Sequence, residues 1–199
     1  MCAVFAGCLF KPTTVATRSF VLIPMPAGET NAATGQVAVG VGVVKVPPYL
    51  LRSSIAYRKS ANEISYLENS LWAEPLDKSI QRALGANLAN LLPTDQIRLS
   101  AWQRTEVAVA VYVNVEQFDV DAQGRGTLIA WWRIVSPDGG RVLRSGQSRF
   151  ARNSSSTATD PETWVATLNE MITEFSKALA PVIRECASGA GAPMPAQAH

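Results

Sequence analysis

A chain of 199 residues is long enough for one ordinary domain with a sizeable core. Its composition, 47% hydrophobic and 17% charged, is that of a globular protein and not of a disordered one. The formal net charge of +2 and the scattered basic residues argue against nucleic acid as a partner. The single histidine, His199, follows a Gly/Ala/Pro-rich segment, so neither a catalytic triad nor a zinc site is expected. Glycine-rich phosphate loops are also missing from the sequence, which therefore argues against an enzyme and predicts no cofactor and no metal.

The N-terminal segment contains Phe5-Ala6-Gly7-Cys8, small residues followed directly by a cysteine. This pattern resembles a bacterial lipobox, in which small side chains fit the signal peptidase and the thiol carries the lipid. A signal peptide needs a basic start and about 7–15 apolar residues before the cleavage site, whereas seven residues, none of them basic, precede Cys8. Either the start lies upstream, or the sequence has been shortened, or Cys8 is an ordinary cysteine. The motif alone favours the last of these.

Strands dominate the first half of the chain, and Val37–Val46 is the most regular of them. Valine alternates there with alanine or glycine, so neither face is polar. We expect burial on both sides, with the Gly/Ala face open to close approach by a helix or strand. Pro47 and Pro48 end the strand and begin a bend, Pro47–Arg52. The other elements predicted here are a strand at Arg18–Pro24, a loop at 27–36, a hairpin of Ser54–Lys59 and Glu63–Leu67, and a helix from Pro75 to Pro93.

The second half of the chain predicts four strands and a long helix. The strands are Gln96–Trp102, Glu106–Val115, Gly126–Ser136 and Arg141–Arg149, the last two joined by a turn at Pro137–Gly140. Trp131 and Trp132 should point to opposite faces of the sheet. Asp160-Pro161-Glu162 supplies a cap and a first-turn proline for a helix that Pro181 should kink or loosen before Cys186. Two helices and a sheet with two apolar faces predict one α/β domain of three layers, with one helix on each side.

Several segments together carry a resemblance to a known family. They are Cys8 followed by Phe20-Val21-Leu22, the strand and bend Val39–Leu50 with Arg52 and Ile55, Trp72-Ala73-Glu74-Pro75-Leu76, Val113–Asp119, and Ala130-Trp131-Trp132. In this order and spacing they resemble the ABC-type transport auxiliary lipoproteins of the paraquat-inducible protein C type. The resemblance covers nearly the whole chain. It makes Cys8 the expected lipid anchor, against the ordinary-cysteine interpretation.

The resemblance implies a fold, a location and partners. The implied fold is a mixed α/β sheet of about five or more strands, like the N-terminal domain of the Tol-system propeller protein. The implied protein is held in the outer membrane by a lipid and faces the periplasm. It would act beside an ABC transporter and a mammalian-cell-entry (MCE) domain protein that moves lipids between the membranes. A homo-oligomeric ring at the outer-membrane end of that system is also implied.

The candidate functional residues each have a simpler structural interpretation. The candidate contact residues of the bend, for a partner or a lipid, are Tyr49, Leu50, Leu51 and Arg52. We favour the simpler interpretation, in which the leucines cap the edge of the core. Trp72 could line a lipid path, but a tryptophan before a helix is more often a core residue. Asp119 and Asp121 could be a carboxylate pair for acid/base chemistry, but a turn of solvated aspartates is the better interpretation.

The predicted organisation is a truncated signal at 1–8 ending at the anchor cysteine, a linker at 9–17, the α/β domain at 18–186 and a flexible tail at 187–199. The predicted function is a non-catalytic outer-membrane adaptor for MCE-type lipid transport. The alternative is a stand-alone periplasmic lipoprotein that binds a lipid or another small ligand. Neither interpretation includes a cofactor or a nucleic-acid partner.

Overall fold

The computed structural model describes residues 16–26, 37–92, 94, 96–155 and 160–190. Within these ranges the chain forms one mixed sheet and two long helices. The strands are β1 (Arg18–Phe20), β2 (Val39–Val41), β3 (Ser54–Ser60), β4 (Glu63–Trp72), β5 (Ile97–Leu99), β6 (Val109–Asp121), β7 (Arg125–Val135) and β8 (Val142–Asn153), and the helices are α1 (Leu76–Leu91) and α2 (Pro161–Ala190). Two short 3₁₀ turns, Pro48–Leu51 and Arg104–Glu106, complete the description.

The long strand β6 is the centre of the sheet, because three neighbours pair with it. β7 runs antiparallel along its length, and β8 pairs with β7 in turn. On the other edge, β6 pairs in parallel with β2 near its start and with β3 near its end. The sheet therefore branches on this edge: β5 extends the β2 branch, while β4 and β1 extend the β3 branch.

The residues that β6 buries on its apolar face change from odd-numbered to even-numbered positions partway along the strand. A register irregularity between Val115 and Gln117 inserts one residue relative to β7. The large apolar side chains that are buried are Val109, Val111, Val113 and Val115 before this bulge and Phe118 and Val120 after it. Asp119, which pairs with Thr127, therefore lies on the same face of the sheet as Trp131 of β7. We call this side of β6, β7 and β8 the outer face.

The two helices lie against each other. The Asn87 side-chain amide of α1 donates a hydrogen bond of 3.1 Å to the Ser176 hydroxyl of α2, and both residues are fully buried. Helices in direct contact do not have the sheet between them, so the predicted placement of one helix on each side is wrong. The physical reason is that the outer face carries exposed polar side chains, among them Asn114, Glu116 and Arg133, which a second layer of helix would have to bury. The mixed α/β class itself, with more than five strands and two main helices, is confirmed.

The valine-rich stretch forms a shorter strand than its pattern predicts. Regular pairing covers only Val39–Val41, and the side chain of Val43 is 46% exposed. The aromatic side chains of Trp102 and of Tyr112 in β6 fill the space beside the glycines. A Cβ atom built on Gly40 would lie 2.7 Å from the indole of Trp102, and one on Gly42 would lie 2.5 Å from the ring of Tyr112. Glycine is therefore required at both positions by close packing.

Local sequence signals place most of the remaining elements correctly. The hairpin turn at Pro137–Gly140 forms, with Gly139 at a φ of 71°. Trp131 and Trp132 lie on opposite faces, the first 49% exposed and the second packed against the core. α2 begins after Asp160 as predicted, but it continues through Pro181 to Ala190, beyond the end expected near Cys186. None of the helices in the described ranges is long and apolar enough to cross a bilayer.

Candidate functional site: the proline bend

The bend Pro47–Arg52 is a single 3₁₀ turn that leads from the β2 branch to β3. Pro47 and Pro48 have fixed φ angles and no N–H, which stops further ladder pairing, and the Leu50 N–H closes the turn on the Pro47 carbonyl at 3.0 Å. Arg52 returns the chain to an extended conformation, with φ −70° and ψ 148°. With about three residues per turn, neighbouring side chains of such a turn point in different directions.

The two leucines of the bend consequently have different environments. Leu50 is 2% exposed and belongs to the core, whereas Leu51 is 59% exposed. The simpler interpretation, leucines that cap the core edge, therefore holds for Leu50 and fails for Leu51. An exposed leucine beside the exposed Arg52 is the part of the bend that is accessible to a partner.

A buried carboxylate holds the bend to the sheet. Asp119 is 1% exposed, and its Oδ2 accepts hydrogen bonds from the Tyr49 hydroxyl at 2.9 Å and from Arg58 Nη2 at 3.0 Å. Its Oδ1 accepts a third, from Gln117 Nε2, at 2.8 Å. The bend, β3 and β6 thus meet at one carboxylate, whose charge is balanced by the guanidinium of Arg58. We call Tyr49, Arg58, Gln117 and Asp119 the Asp119 cluster.

The expectation that Asp119 and Asp121 form a solvated turn is wrong for Asp119 and correct for Asp121. Because β6 continues to Asp121, Asp119 lies within the strand and is covered by Tyr49 and Arg58. Asp121 closes the turn between β6 and β7, where its Oδ1 accepts from the backbone N–H groups of Gln123 and Arg125. The two carboxylates therefore do not work as a pair.

The Asp119 cluster is arranged for support and not for proton transfer. Burial, followed by the negative charge of Asp119, raises the pKa of the Tyr49 phenol well above its ordinary value. The phenol consequently stays protonated at physiological pH and remains a hydrogen-bond donor. The Asp119 carboxylate already accepts three hydrogen bonds and is closed to solvent, so it has no free oxygen to meet a substrate.

A second tyrosine, Tyr66 of β4, also contacts the bend. Tyr66 of β4 donates a hydrogen bond of 3.3 Å from its hydroxyl to the Tyr49 carbonyl. The guanidinium of Arg52 lies 4.6 Å from the centre of the Tyr66 ring, a cation–π distance. Arg52 is thereby held next to Leu51 although it remains exposed.

The other candidate residues do not join the bend. Trp72, the last residue of β4, is 7% exposed and packs in the core, in agreement with the simpler of its two interpretations. Cys8 lies outside the described residues. Cys186 is a free, buried thiol in α2, and its burial raises its pKa. Within the described ranges, no three His, Cys, Asp or Glu side chains come together in a way that could hold a metal ion.

Sequence reasoning missed Arg58 and the burial of Asp119. Arg58 and Asp119 are 61 positions apart, and only the parallel pairing of β3 with β6 brings them together. One local signal was present: Asp119 stands between Phe118 and Val120, two large apolar residues of the kind found in a strand. These two residues indicate that the strand continues past Val115 and contains Asp119, although the bulge, which breaks the repeat, conceals the face on which Asp119 lies.

Comparison with protein families gives a match over most of the chain. The model of the ABC-type transport auxiliary lipoprotein component matches residues 20–180. Two curated relatives, the intermembrane transport lipoproteins PqiC of Escherichia coli (strain K12) and of Shigella flexneri, are each 35% identical over 65 residues. That match covers 33% of this chain and 35% of each relative, so it spans about a third of the length of either.

Solved structures with the same fold have low sequence identity. An uncharacterized protein superposes with a TM-score of 0.71 at 20% identity, covering 85% of this chain and 99% of its own. Protein XCC0632 from Xanthomonas campestris gives a TM-score of 0.66 at 17% identity, covering 87% and 98%. At these identities the comparison establishes the fold alone.

Proposed function

Because the chain belongs to the ABC-type transport auxiliary lipoprotein family, we propose that it is a non-catalytic adaptor of an MCE-type intermembrane lipid transport system. In this proposal the protein is anchored in the outer membrane through Cys8 and faces the periplasm. Its partners are an MCE-domain protein and the associated ABC components of the inner membrane. Several copies form a ring at the outer-membrane end of the system.

The observation that carries the adaptor role is the accessible side of the bend. Leu51 is exposed, and the turn that presents it is held to the sheet by the hydrogen bond between Tyr49 and Asp119 in the Asp119 cluster. An exposed apolar side chain on a rigid support loses little conformational entropy when it is covered, which favours its use as an interface anchor. The adjacent Arg52 adds a residue type that is enriched in protein interfaces.

Mass spectrometry of the membrane-extracted protein, expressed from a full-length gene, tests the anchor. The expected product begins at Cys8 and carries the mass of the lipid on that cysteine. The Cys8→Ser variant should appear without this added mass. An unmodified Cys8 thiol in the membrane-extracted wild-type protein would contradict the anchor.

Capture of the MCE-domain protein from cells that express both partners tests the adaptor role, with native mass analysis of the captured complex. Leu51→Ser should reduce capture because it removes the exposed apolar side chain of the bend. Val142→Ser is the matched control, since Val142 of β8 is also exposed, at 55%, and lies away from the bend. Equal capture by both variants would remove the bend from the interface, and a wild-type monomer that never captures the partner would refute the adaptor role.

A further inference from the structure

A shallow groove lies on the outer face, where the chain after β2 runs beside β6. Its lining includes Val43, Lys45, Tyr112, Asn114, Trp131 and Arg133, and its volume is about 570 Å³. We call it the outer-face groove. Its volume is within the range of small-ligand sites. The bend and the Asp119 cluster contribute no residue to its lining.

Cross-strand pairing explains how these side chains meet. Lys45 bridges to Asn114 of β6, which pairs with Trp131 of β7. In the next row Tyr112 pairs with Arg133. Directly paired side chains on one face of a sheet lie about 5 Å apart. The pairing therefore places the ammonium-bearing Lys45 and the guanidinium-bearing Arg133 in adjacent rows of the same surface.

The apolar part of the groove is exposed and held in place. The indole of Trp131 is 49% exposed, and its Nε1–H donates a hydrogen bond of 2.7 Å to Glu116 Oε1. The other Glu116 oxygen accepts from Gln147 at 3.0 Å, so this carboxylate is already used to position the indole. Val43, 46% exposed, adds an aliphatic side chain. These two exposed side chains provide surface for a hydrocarbon chain.

The charged part of the groove is entirely positive. Lys45 and Arg133 are its charged lining residues, and neither forms an ion pair with any residue of the described ranges. Arg133 lies 5.2 Å from the centre of the Tyr112 ring, which directs the guanidinium along the surface. Two unpaired cations next to exposed apolar side chains are complementary to a molecule with an anionic head and a hydrocarbon tail.

The backbone of the groove favours a lipid over a peptide strand. The β6 edge is occupied here, because the Lys45 N–H donates to the Val113 carbonyl at 3.0 Å and the Val115 N–H donates to the Lys45 carbonyl at 2.8 Å. A peptide that adds a strand needs a free edge, whereas an amphiphile needs only side-chain contacts. We propose that the outer-face groove binds one molecule of an anionic phospholipid, with its phosphate on Lys45 and Arg133 and its acyl chain along Val43 and Trp131. This site does not depend on the bend or on a transport partner.

Titration of the full 199-residue chain with dihexanoyl phosphatidylglycerol below its micelle concentration tests the site. The readout is the NMR signal of the Trp131 indole N–H, identified by its loss in Trp131→Phe. We expect a saturable shift with one lipid bound per chain. The double variant Lys45→Gln/Arg133→Gln should bind about tenfold more weakly or worse, since it loses two charge-assisted contacts. Arg149→Gln, an exposed arginine of β8 on the same face but outside the groove, should bind like the wild type.

Three further ligands separate the sources of binding. Dihexanoyl phosphatidylcholine has the same chains without net charge, and glycerol 3-phosphate has the anion without chains; both should bind more weakly than the anionic lipid. Equal binding of the two lipids, equal binding of glycerol 3-phosphate, or an unchanged affinity of the double variant would each overturn the proposal. Binding to vesicles of 30% phosphatidylglycerol and 70% phosphatidylcholine without binding of the monomeric lipid would also overturn it, because the groove would then be a membrane contact and not a lipid site.

Discussion

Asp119 joins three parts of the chain through a single carboxylate. Tyr49 brings the bend to it, Arg58 brings β3 and Gln117 comes from β6 itself. A buried ion pair is not by itself a large source of stability, because both charges lose their hydration. Removing the carboxylate is different, since Arg58, whose side chain is 27% exposed, then loses its partner and the partly buried Tyr49 hydroxyl loses its acceptor. The Asp119 cluster is therefore a feature whose loss should be measurable with one substitution.

Replacing Asp119 with alanine should lower the free energy of unfolding by about 2–3 kcal/mol, because the partly exposed Arg58 loses its carboxylate and Tyr49 its acceptor. Chemical denaturation followed by circular dichroism measures the change. Asp121→Ala is the control, since Asp121 is partly exposed and bonds only turn N–H groups. A loss for Asp119→Ala no larger than that for the control would mean that the cluster does not stabilise the fold.

At the scale of elements, the start of α2 is set by a local contact. Asp160 accepts hydrogen bonds from the backbone N–H of Thr163 at 3.1 Å and from its hydroxyl at 2.6 Å, which caps the helix. The hydroxyl contact first, and then the backbone contact, lower the pKa of the Asp160 carboxyl. A lowered pKa means that the folded state prefers the ionised cap.

Asp160→Ala should cost about 0.5–2 kcal/mol of stability at pH 7, the usual range for loss of an N-cap. Because the folded-state pKa is lowered, the contribution of the ionised carboxylate is fully present above the unfolded-state pKa. It is lost as the pH falls through the folded-state value. The difference in unfolding free energy between wild type and Asp160→Ala should therefore narrow between pH 7 and pH 2.5, as measured by urea denaturation. A difference that is constant over this range would contradict the role of the charge.

Gly42→Ala should destabilise the protein by about 1–3 kcal/mol, since the new Cβ would press into the Tyr112 ring. Thermal unfolding measures this effect. Gly189→Ala, in the last turn of α2, is the opposite case: its Cβ meets nothing within 4 Å. Alanine there should be neutral or stabilising by up to about 1 kcal/mol because of its higher helix propensity. Equal effects at the two positions would show that packing against Tyr112 is not the reason for Gly42.

At the scale of the whole molecule, the helices cover one face of the sheet, and no helix of the described residues lies on the outer face. Both helices pack on the same layer, linked by the buried Asn87–Ser176 hydrogen bond. The outer face keeps its exposed aromatic and charged side chains, among them Trp131 and Arg133. The bend adds a further accessible surface at Leu51, while its neighbour Leu50 belongs to the core. Substitutions at the adjacent positions Leu50 and Leu51 can therefore separate effects on stability from effects on association.

Leu50→Ser should destabilise the fold by about 2–5 kcal/mol, because it removes a fully packed side chain and buries a hydroxyl. Leu51→Ser should change stability by less than about 0.5 kcal/mol, as expected for an exposed position, while it weakens association. Denaturation and native mass spectrometry of both variants measure the two quantities. An unfolded Leu51→Ser variant, or one that is stable and assembles like the wild type, would contradict this division.

The sequence by itself determined the features that depend on near neighbours. The Pro137–Gly140 turn, the cap at Asp160 and the opposite faces of Trp131 and Trp132 follow from dihedral preferences and from a two-residue repeat. The family was also recognisable from short segments in the right order. Element ends were less certain, as the early end assigned to β6 shows, because a bulge breaks the repeat at Val115.

Only the tertiary structure decided which residues meet across long stretches of chain. Tyr49 and Arg58 reach Asp119 over separations of 70 and 61 residues, and no local pattern contains that pairing. The same is true of Leu50 and Leu51, which have identical side chains but opposite exposure. The packing of the two helices is a further example. The apolar face of each helix predicts that it is buried, but it does not identify the element that covers it. Burial and long-range hydrogen bonding depend on the order of the strands and on the layer to which each element belongs. Both are decided by how the whole core packs.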